Sequence, residues 1–203
     1  MQSNETNKYC HYIHIRDLSE KNICLANYDS IIWDLDGTLY SIAALKLKIF
    51  KTLYRFSVFK NIYNFFQTEK LIQKERESHG FGLDLYRDNF YTMQEFINSY
   101  LNKSLVRPEA IQLAKVASNH KLNQLVVSEY PIGNKLELLE VVEYFQGAFS
   151  CSEDMGSWKP SEKTAHFVLS KLGNAQRILV IGDREDTDGE MAKNIHNLIN
   201  ISR

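Results

Sequence analysis

Short apolar runs recur along the chain, each stopping on polar or glycine residues: Ser30–Leu35, Asn123–Val127, Gly147–Cys151 and Arg177–Ile181, with a weaker one at Leu198–Ile201. Their β-rich composition and abrupt ends predict strands. Between them the apolar spacing becomes helical. Pro108 opens one such stretch, with Ile111, Leu113, Ala114 and Ala117 on one face before Asn119, and proline suits a first helical turn. Lys135–Tyr144 and Ser161–Leu172 supply two more, the latter stopped by Gly173, a residue that commonly ends helices. Strands alternating with helices predict an α/β fold, Rossmann-like, with a central parallel sheet flanked by helices. In such folds ligands bind at the carboxyl ends of the strands.

Ser41–Lys103 breaks the alternation. It has helical periodicity and no convincing strand, so residues 41–104 are expected to form an all-helical insert emerging just after the first strand, with the core built from 1–40 and 105–203. Gly80-Phe81-Gly82 punctuates its middle as a turn between helices or as a substrate-facing loop. Residues 1–28 form an amino-terminal extension in which His11–Ile15 alternates enough for a short strand and Asn4–Lys8 reads as disordered. No internal repeat or low-complexity tract is visible.

Composition narrows the class of function. The chain of 203 residues can bury a real core. With 24 Lys and Arg against 25 Asp and Glu, no global field points to nucleic acid, and any electrostatic specialisation must be local. The first ten residues lack a signal-like apolar run, and no apolar stretch approaches membrane-spanning length, so a soluble cytoplasmic protein is expected. Cys10, Cys24 and Cys151 are odd in number and form no CxxC pair, which fits reduced thiols and not a disulfide framework or zinc site. The histidines are scattered, and His11 and His14 have no partner at ligand spacing.

The polar chemistry gathers at four strand ends. Asp34, Asp36 and Thr38 follow the first strand. Ser128 and Glu129 follow Asn123–Val127, Lys159 precedes Pro160 in the segment SWKPSEK, and Gly182-Asp183 opens the acidic segment GDREDTDGEMA. Residues one apart on an extended strand point the same way, so Asp34 and Asp36 aim at one spot, and Gly37 lets the backbone bend closely around it. In a parallel sheet all four ends share a rim. Two carboxylates roughly 4 Å apart repel by about 4 kcal/mol at an effective dielectric of 20, so the cluster needs a counter-charge beyond Lys159. A magnesium ion takes oxygen ligands and pairs readily with phosphate. An EF-hand reading of the Asp34–Gly37 run fails, because such a loop needs glycine at its sixth position and glutamate at its twelfth, where this chain has Leu39 and Leu45.

These four segments, DLDGTLY, the strand-terminal serine, the KP lysine and GDREDTDG, together resemble the motifs of the haloacid dehalogenase superfamily, in its order and at its usual separations. The resemblance covers Ser30–Leu39 and the stretch from Pro108 onward; the insert matches in position and helical character only. It implies that Asp34 is a nucleophile that attacks phosphorus and forms an aspartyl phosphate. Asp36 would be the acid/base residue, with its main-chain carbonyl a magnesium ligand. Thr38 would brace the loop, help to orient Asp36 and belong to the phosphate-binding set. Ser128 and the Glu129 amide would hold phosphoryl oxygens, and Lys159 would neutralise the nucleophile and the transferring group. Asp34, Asp183 and Asp188 would complete the magnesium site, with Glu185 and Asp186 at less typical offsets as loop or supporting residues.

Asp36 separates branches of that superfamily. Members that displace halide from carbon lack the second aspartate, so the resemblance implies a magnesium-dependent phosphatase acting on a small phosphorylated metabolite. A phosphomutase would keep the same motifs. A phosphonate-cleaving member would need a Schiff-base lysine, and nothing marks Lys46, Lys48 or Lys51 as desolvated. The insert corresponds in place to the helical lid called a C1 cap, which would exclude water and select substrate. From Gly37 to Thr68 it holds no acid, while Lys46, Lys48, Lys51, Arg55 and Lys60 interleave with Phe50, Tyr54, Phe56, Phe59, Tyr63, Phe65 and Phe66. The plainest expectation is that its aromatics pack and its lysines are solvated. The other readings are attraction of an anionic or aromatic substrate, or attachment to a membrane surface or a partner, the latter making the chain a binding or regulatory protein of the same fold. Arg76, His79 and Arg87 flank the Gly80–Gly82 turn and are expected at the surface. The pattern does not decide an oligomeric state.

Overall fold

The computed structural model describes residues 8–18, 23–52, 63, 67, 70, 71, 73, 74 and 87–201. Strands β1 (Tyr9–His14), β2 (Ser30–Trp33), β3 (Asn123–Ser128), β4 (Gly147–Ser150) and β5 (Arg177–Gly182) form one sheet in the order β1-β5-β2-β3-β4. Every neighbouring pair is parallel. Among the described residues, the helices include α1 (Ile42–Phe50), α2 (Arg87–Asn98), α3 (Pro108–Asn119), α4 (Lys135–Leu138), α5 (Glu162–Leu172) and α6 (Glu190–Ile201).

The central strands read as unbroken apolar runs because helices cover both of their faces. Ile31, Ile32, Trp33, Val126, Val127 and Ile178 to Ile181 are all fully buried. Among the polar side chains buried in this core, Gln124 finds partners for both its amide oxygen and its amide nitrogen. Trp33 Nε1 donates to Gln124 Oε1 (3.0 Å), and Gln124 Nε2 donates to the carbonyls of Ala114 (2.9 Å) and Tyr144 (3.0 Å). Gln124 therefore links β2, α3 and the turn before β4.

Two expected elements differ in the structure. Leu198–Ile201 is the last turn of α6 and not a strand: Met191, Ala192, Ile195 and Ile199 are buried at helical offsets, and this stripe overrides the local β-branched content. The edge place beside β5 goes instead to the amino-terminal segment, with Tyr9 opposite Arg177 through to His14 opposite Gly182. The expected strand at His11–Ile15 thus lies slightly earlier, at Tyr9–His14. The helix expected over Lys135–Tyr144 ends at Leu138. Glu140 adopts φ +57°, and this break lets Leu136, Leu139 and Val141 all reach the core, which a continuous helix would not allow for Val141. Pro160 stands one residue ahead of the Ser161 cap of α5, whose hydroxyl accepts from the Thr164 N–H at 3.2 Å.

After Tyr40 the chain leaves the sheet layer and returns through one seam. The Ser41 N–H donates to the Leu105 carbonyl and the Arg107 N–H to the Leu39 carbonyl, each at 2.9 Å. Helices α1 and α2 lie between these points. Lys46 and Lys51 are exposed there, while Lys48 Nζ donates to the Tyr100 carbonyl at 2.6 Å. The aromatic residues Phe50 and Tyr63 are 66% and 64% exposed, so neither packs as the aromatic spacing suggested. Asn4–Asn7, Tyr54–Lys60, Phe65, Phe66, Arg76, His79 and Gly80–Gly82 lie outside the described residues, as does the side chain of Arg87. No helix among the described residues is long and apolar enough to cross a membrane. Replacing Gln124 with leucine should lower the unfolding free energy by about 1–3 kcal/mol, because the buried Trp33 N–H loses its acceptor; an unchanged urea midpoint would contradict that role.

Candidate active site

The carboxyl ends of β2, β3 and β5 build a site with two connected halves. The Asp34 N–H still pairs with the Ile181 carbonyl at 2.9 Å, so the sheet carries Asp34 to the rim before the chain turns. Gly37 makes that turn at φ +102°, a region that favours glycine, and Arg107 Nε clamps it by donating to the Gly37 carbonyl at 2.9 Å.

The first half centres on Asp34. Lys159 Nζ donates to Asp34 Oδ1 at 2.7 Å, to Asp188 Oδ1 at 2.6 Å and to the Val127 carbonyl at 3.1 Å. Thr38 Oγ1 donates to Asp34 Oδ2 at 2.9 Å. Thr38 thus braces the first aspartate and not Asp36, a correction to the expected role. Asp34, Asp183 and Asp188 each offer an oxygen, all within 4.8 Å of one another. Two glycines make room for this cluster: a Cβ on Gly182 would meet Asp188 Oδ2 at 2.2 Å, and one on Gly37 would meet Asp183 Oδ2 at 2.1 Å.

The second half centres on Asp36. Its Oδ1 accepts from Lys135 Nζ at 3.0 Å and from the Tyr40 hydroxyl, and its Oδ2 accepts from Ser128 Oγ at 2.9 Å. Ser128 Oγ in turn accepts from the Tyr130 N–H at 3.1 Å. Glu129 turns its buried carboxylate to Arg184, whose Nη1 donates to Glu129 Oε2 at 3.1 Å, tying the end of β3 to the end of β5. Glu185 and Asp186 are exposed, with Asp186 Oδ1 accepting from Arg184 Nε at 3.4 Å. They stand outside the acid cluster.

The two aspartates sit in opposite electrostatic environments. Burial pushes the Asp34 carboxyl up, with Asp188 and Asp183 adding to the rise and Lys159 opposing it, to about 8. Asp183 is likewise raised, first by burial and then by Asp188. Burial also acts on Asp36, but the Lys135 ammonium and the hydrogen bonds from Tyr40, Lys135 and Ser128 outweigh it and hold this carboxyl below the usual carboxylate range. Burial alone would lower Lys159; Asp188, Asp34 and Glu129 raise it well above an ordinary lysine. Three carboxylates around one ammonium form a set of hard oxygen donors with excess negative charge, which fits a divalent cation.

Lys135, Tyr40 and Arg184 are site residues that the sequence reading did not single out. Lys135 left a trace: it stands between Ile132 and Leu139 at core spacing.

A family model described as haloacid dehalogenase-like hydrolase matches residues 28–196. Among solved structures the chain is similar to YfnB from Bacillus subtilis, a HAD-hydrolase bound to magnesium, at 15% identity and TM-score 0.60, covering 83% of this chain and 84% of that one. It is also similar to a HAD phosphatase from Thermococcus onnurineus (16% identity, TM-score 0.55, 82% of each chain). A third similar structure is 2-haloacid dehalogenase from Pseudomonas syringae (16% identity, TM-score 0.55, 82% of this chain and 83% of that one). At these identities the likeness is one of fold. A comparison with curated proteins finds no match.

Two outcomes follow from this geometry. Gly182→Ala should displace the Asp188 carboxylate and weaken divalent-cation binding at least about tenfold, read by calorimetric titration with Mg2+; unchanged affinity would remove Asp188 from the cation site. In EDTA, Asp34 keeps its proton in the folded state up to about pH 8 but releases it near pH 4 when unfolded. The folded state binds the extra proton, so stability falls as pH rises through that window. The melting temperature should therefore drop between pH 6 and pH 8.5, and Asp34→Asn should flatten the drop; an equal drop in the variant would contradict the assignment.

Proposed function

Because the chain belongs to the haloacid dehalogenase-like hydrolase family, we propose that it is a magnesium-dependent phosphatase that hydrolyses a small phosphomonoester through an aspartyl phosphate on Asp34. The observation that carries this reading is Asp36, held by three donors on the rim beside Asp34. Displacement of halide from carbon has no use for a second, acid/base carboxylate, whereas release of an alkoxide from phosphorus does.

In this reading Asp36, a carboxylate at rest, first takes a proton from solvent. An oxygen of the Asp34 carboxylate then attacks phosphorus as the bond from phosphorus to the ester oxygen breaks, and Asp36 gives that proton to the departing oxygen. Asp36 then takes a proton from water as the water oxygen attacks phosphorus, which returns the Asp34 carboxylate and inorganic phosphate. Lys159 keeps the nucleophile in place, neutralises it and offers positive charge to the transferring group. Thr38 fixes the plane of the Asp34 carboxylate. The Ser128 hydroxyl and the Glu129 N–H would bind phosphoryl oxygens. Mg2+ held by Asp34, Asp183, Asp188 and the Asp36 carbonyl would balance the negative charge of carboxylates and phosphate. Residues 41–104, which leave and rejoin the core through one seam, would act as the lid that selects the substrate. Tyr91 of α2 reaches the core by donating to Glu153 Oε1 at 3.1 Å, which supports a lid that touches the rim.

The test is phosphate release from a panel of sugar phosphates, nucleotides and aryl phosphates, with Mg2+ and then with EDTA. Release is expected to need Mg2+ and to fall at least about 1,000-fold in Asp34→Asn. Asp36→Asn should lose about 100- to 10,000-fold. No release across the panel, or full activity in Asp34→Asn, would overturn the reading.

A further inference from the structure

Lys135 is fully buried in the first turn of α4, and its ammonium donates to Asp36 Oδ1 at 3.0 Å across 99 residues of sequence. The fold itself gives no reason for a lysine there. Its neighbours Leu136 and Leu139 are core residues, a methionine would fill similar space, and replacing a buried ion pair by apolar side chains is often neutral or stabilising. What Lys135 does is fix a carboxylate. Thr38 is committed to Asp34, so the plane of Asp36 is set by Tyr40 from its own loop, Ser128 from β3 and Lys135 from α4. Ser128 is also the proposed ligand of a phosphoryl oxygen. When its hydroxyl turns to substrate, Tyr40 and Lys135 are what hold Asp36, both on Oδ1, leaving Oδ2 free to face the departing oxygen.

We propose that Lys135 is a positioning residue: it anchors Oδ1 of Asp36 so that Oδ2 is presented for proton transfer to the leaving oxygen and from the hydrolytic water. The proposal rests on the phosphatase reading. It predicts that loss of Lys135 harms catalysis in proportion to how much the leaving group needs a proton. An alkoxide from an alkyl phosphate cannot leave without one, whereas p-nitrophenolate can.

The experiment compares the wild-type protein with Lys135→Met on p-nitrophenyl phosphate and on whichever alkyl phosphate the wild type hydrolyses best, with Mg2+ saturating. For the alkyl ester, kcat/KM should fall about 100-fold with KM within about threefold. For the aryl ester, kcat/KM should fall no more than about fivefold, because attack by Asp34 needs no proton donor. Water activation still needs Asp36, so the variant should show a burst of p-nitrophenolate approaching one per active site, followed by slow turnover. A Lys135→Met/Asp36→Asn double variant should match Asp36→Asn within about twofold, since Lys135 then has nothing to position.

Equal losses on both esters without a burst would mean a merely structural role, and a further fall in the double variant would mean that Lys135 acts directly on the phosphoryl group. Either result overturns the proposal while leaving the phosphatase reading intact. A wild type that hydrolyses neither ester overturns both. If Lys135→Met does not fold, Lys135→Arg keeps the charge with a different reach and should show the same leaving-group dependence in weaker form; its absence there overturns the role equally.

Discussion

One buried ammonium holds the site together. Lys159 reaches Asp34, Asp188 and the Val127 carbonyl at once, so it joins the ends of β2, β3 and the turn after β5 through a single nitrogen. Ions of this kind are costly to take out of water, and removing the lysine would leave carboxylates buried without a partner. Yet one cation does not balance three acids. The fold brings Asp34, Asp183 and Asp188 closer together than their own repulsion favours, and the backbone is shaped to permit it. Gly37 and Gly182 leave the space that the acids occupy. A protein that confined negative charge only for stability would have no use for this arrangement. A protein that binds a cation and an anionic group there would.

The sheet makes that confinement possible, and part of it comes from an unexpected place. β5 carries Gly182 to the rim and lies inside the sheet because β1 covers its outer edge. The family match begins at residue 28, so β1 stands outside the matched stretch while completing the layer beside the acid cluster. Tyr12 of β1 packs its ring near Gly189, and its hydroxyl donates to the Gly182 carbonyl at 3.4 Å. The amino-terminal strand therefore supports the loop that bears Asp183 and Asp188.

Much of this was legible in the sequence. The central strands announce themselves because burial on both faces demands continuous apolar runs, and the acids announce themselves because polar residues at the ends of such runs have little structural reason to be there. Asp34, Asp36, Ser128, Lys159, Asp183 and Asp188 all come to the same rim. The misreadings share one physical cause, competition between local pattern and tertiary context. Leu198–Ile201 looks β-like in isolation, but the buried side chains of α6 continue the helix through it. Thr38 is as close in sequence to Asp36 as a brace would need to be, but the Gly37 turn sends its hydroxyl back to Asp34. Lys135 lies beyond local inference, since its partner is 99 residues away.

The most consequential contrast is between two aspartates separated by one residue. Asp34 is buried among acids, so its proton is hard to remove until positive charge arrives. Asp36 is buried among donors, so its carboxylate is favoured before anything binds. Environments that push neighbouring carboxyls apart are how one chemical group fills two roles. In this site the division follows from which partners each carboxylate has. Asp34 has Thr38 and an ammonium that it shares with Asp188; Asp36 accepts from Lys135, Tyr40 and Ser128. A cation entering the cluster would relieve the first aspartate and leave the second almost as it was. On the proposed roles, a cation would favour the attacking carboxylate form of Asp34, while Asp36 rests as a carboxylate and must take up a proton before it can serve a leaving oxygen.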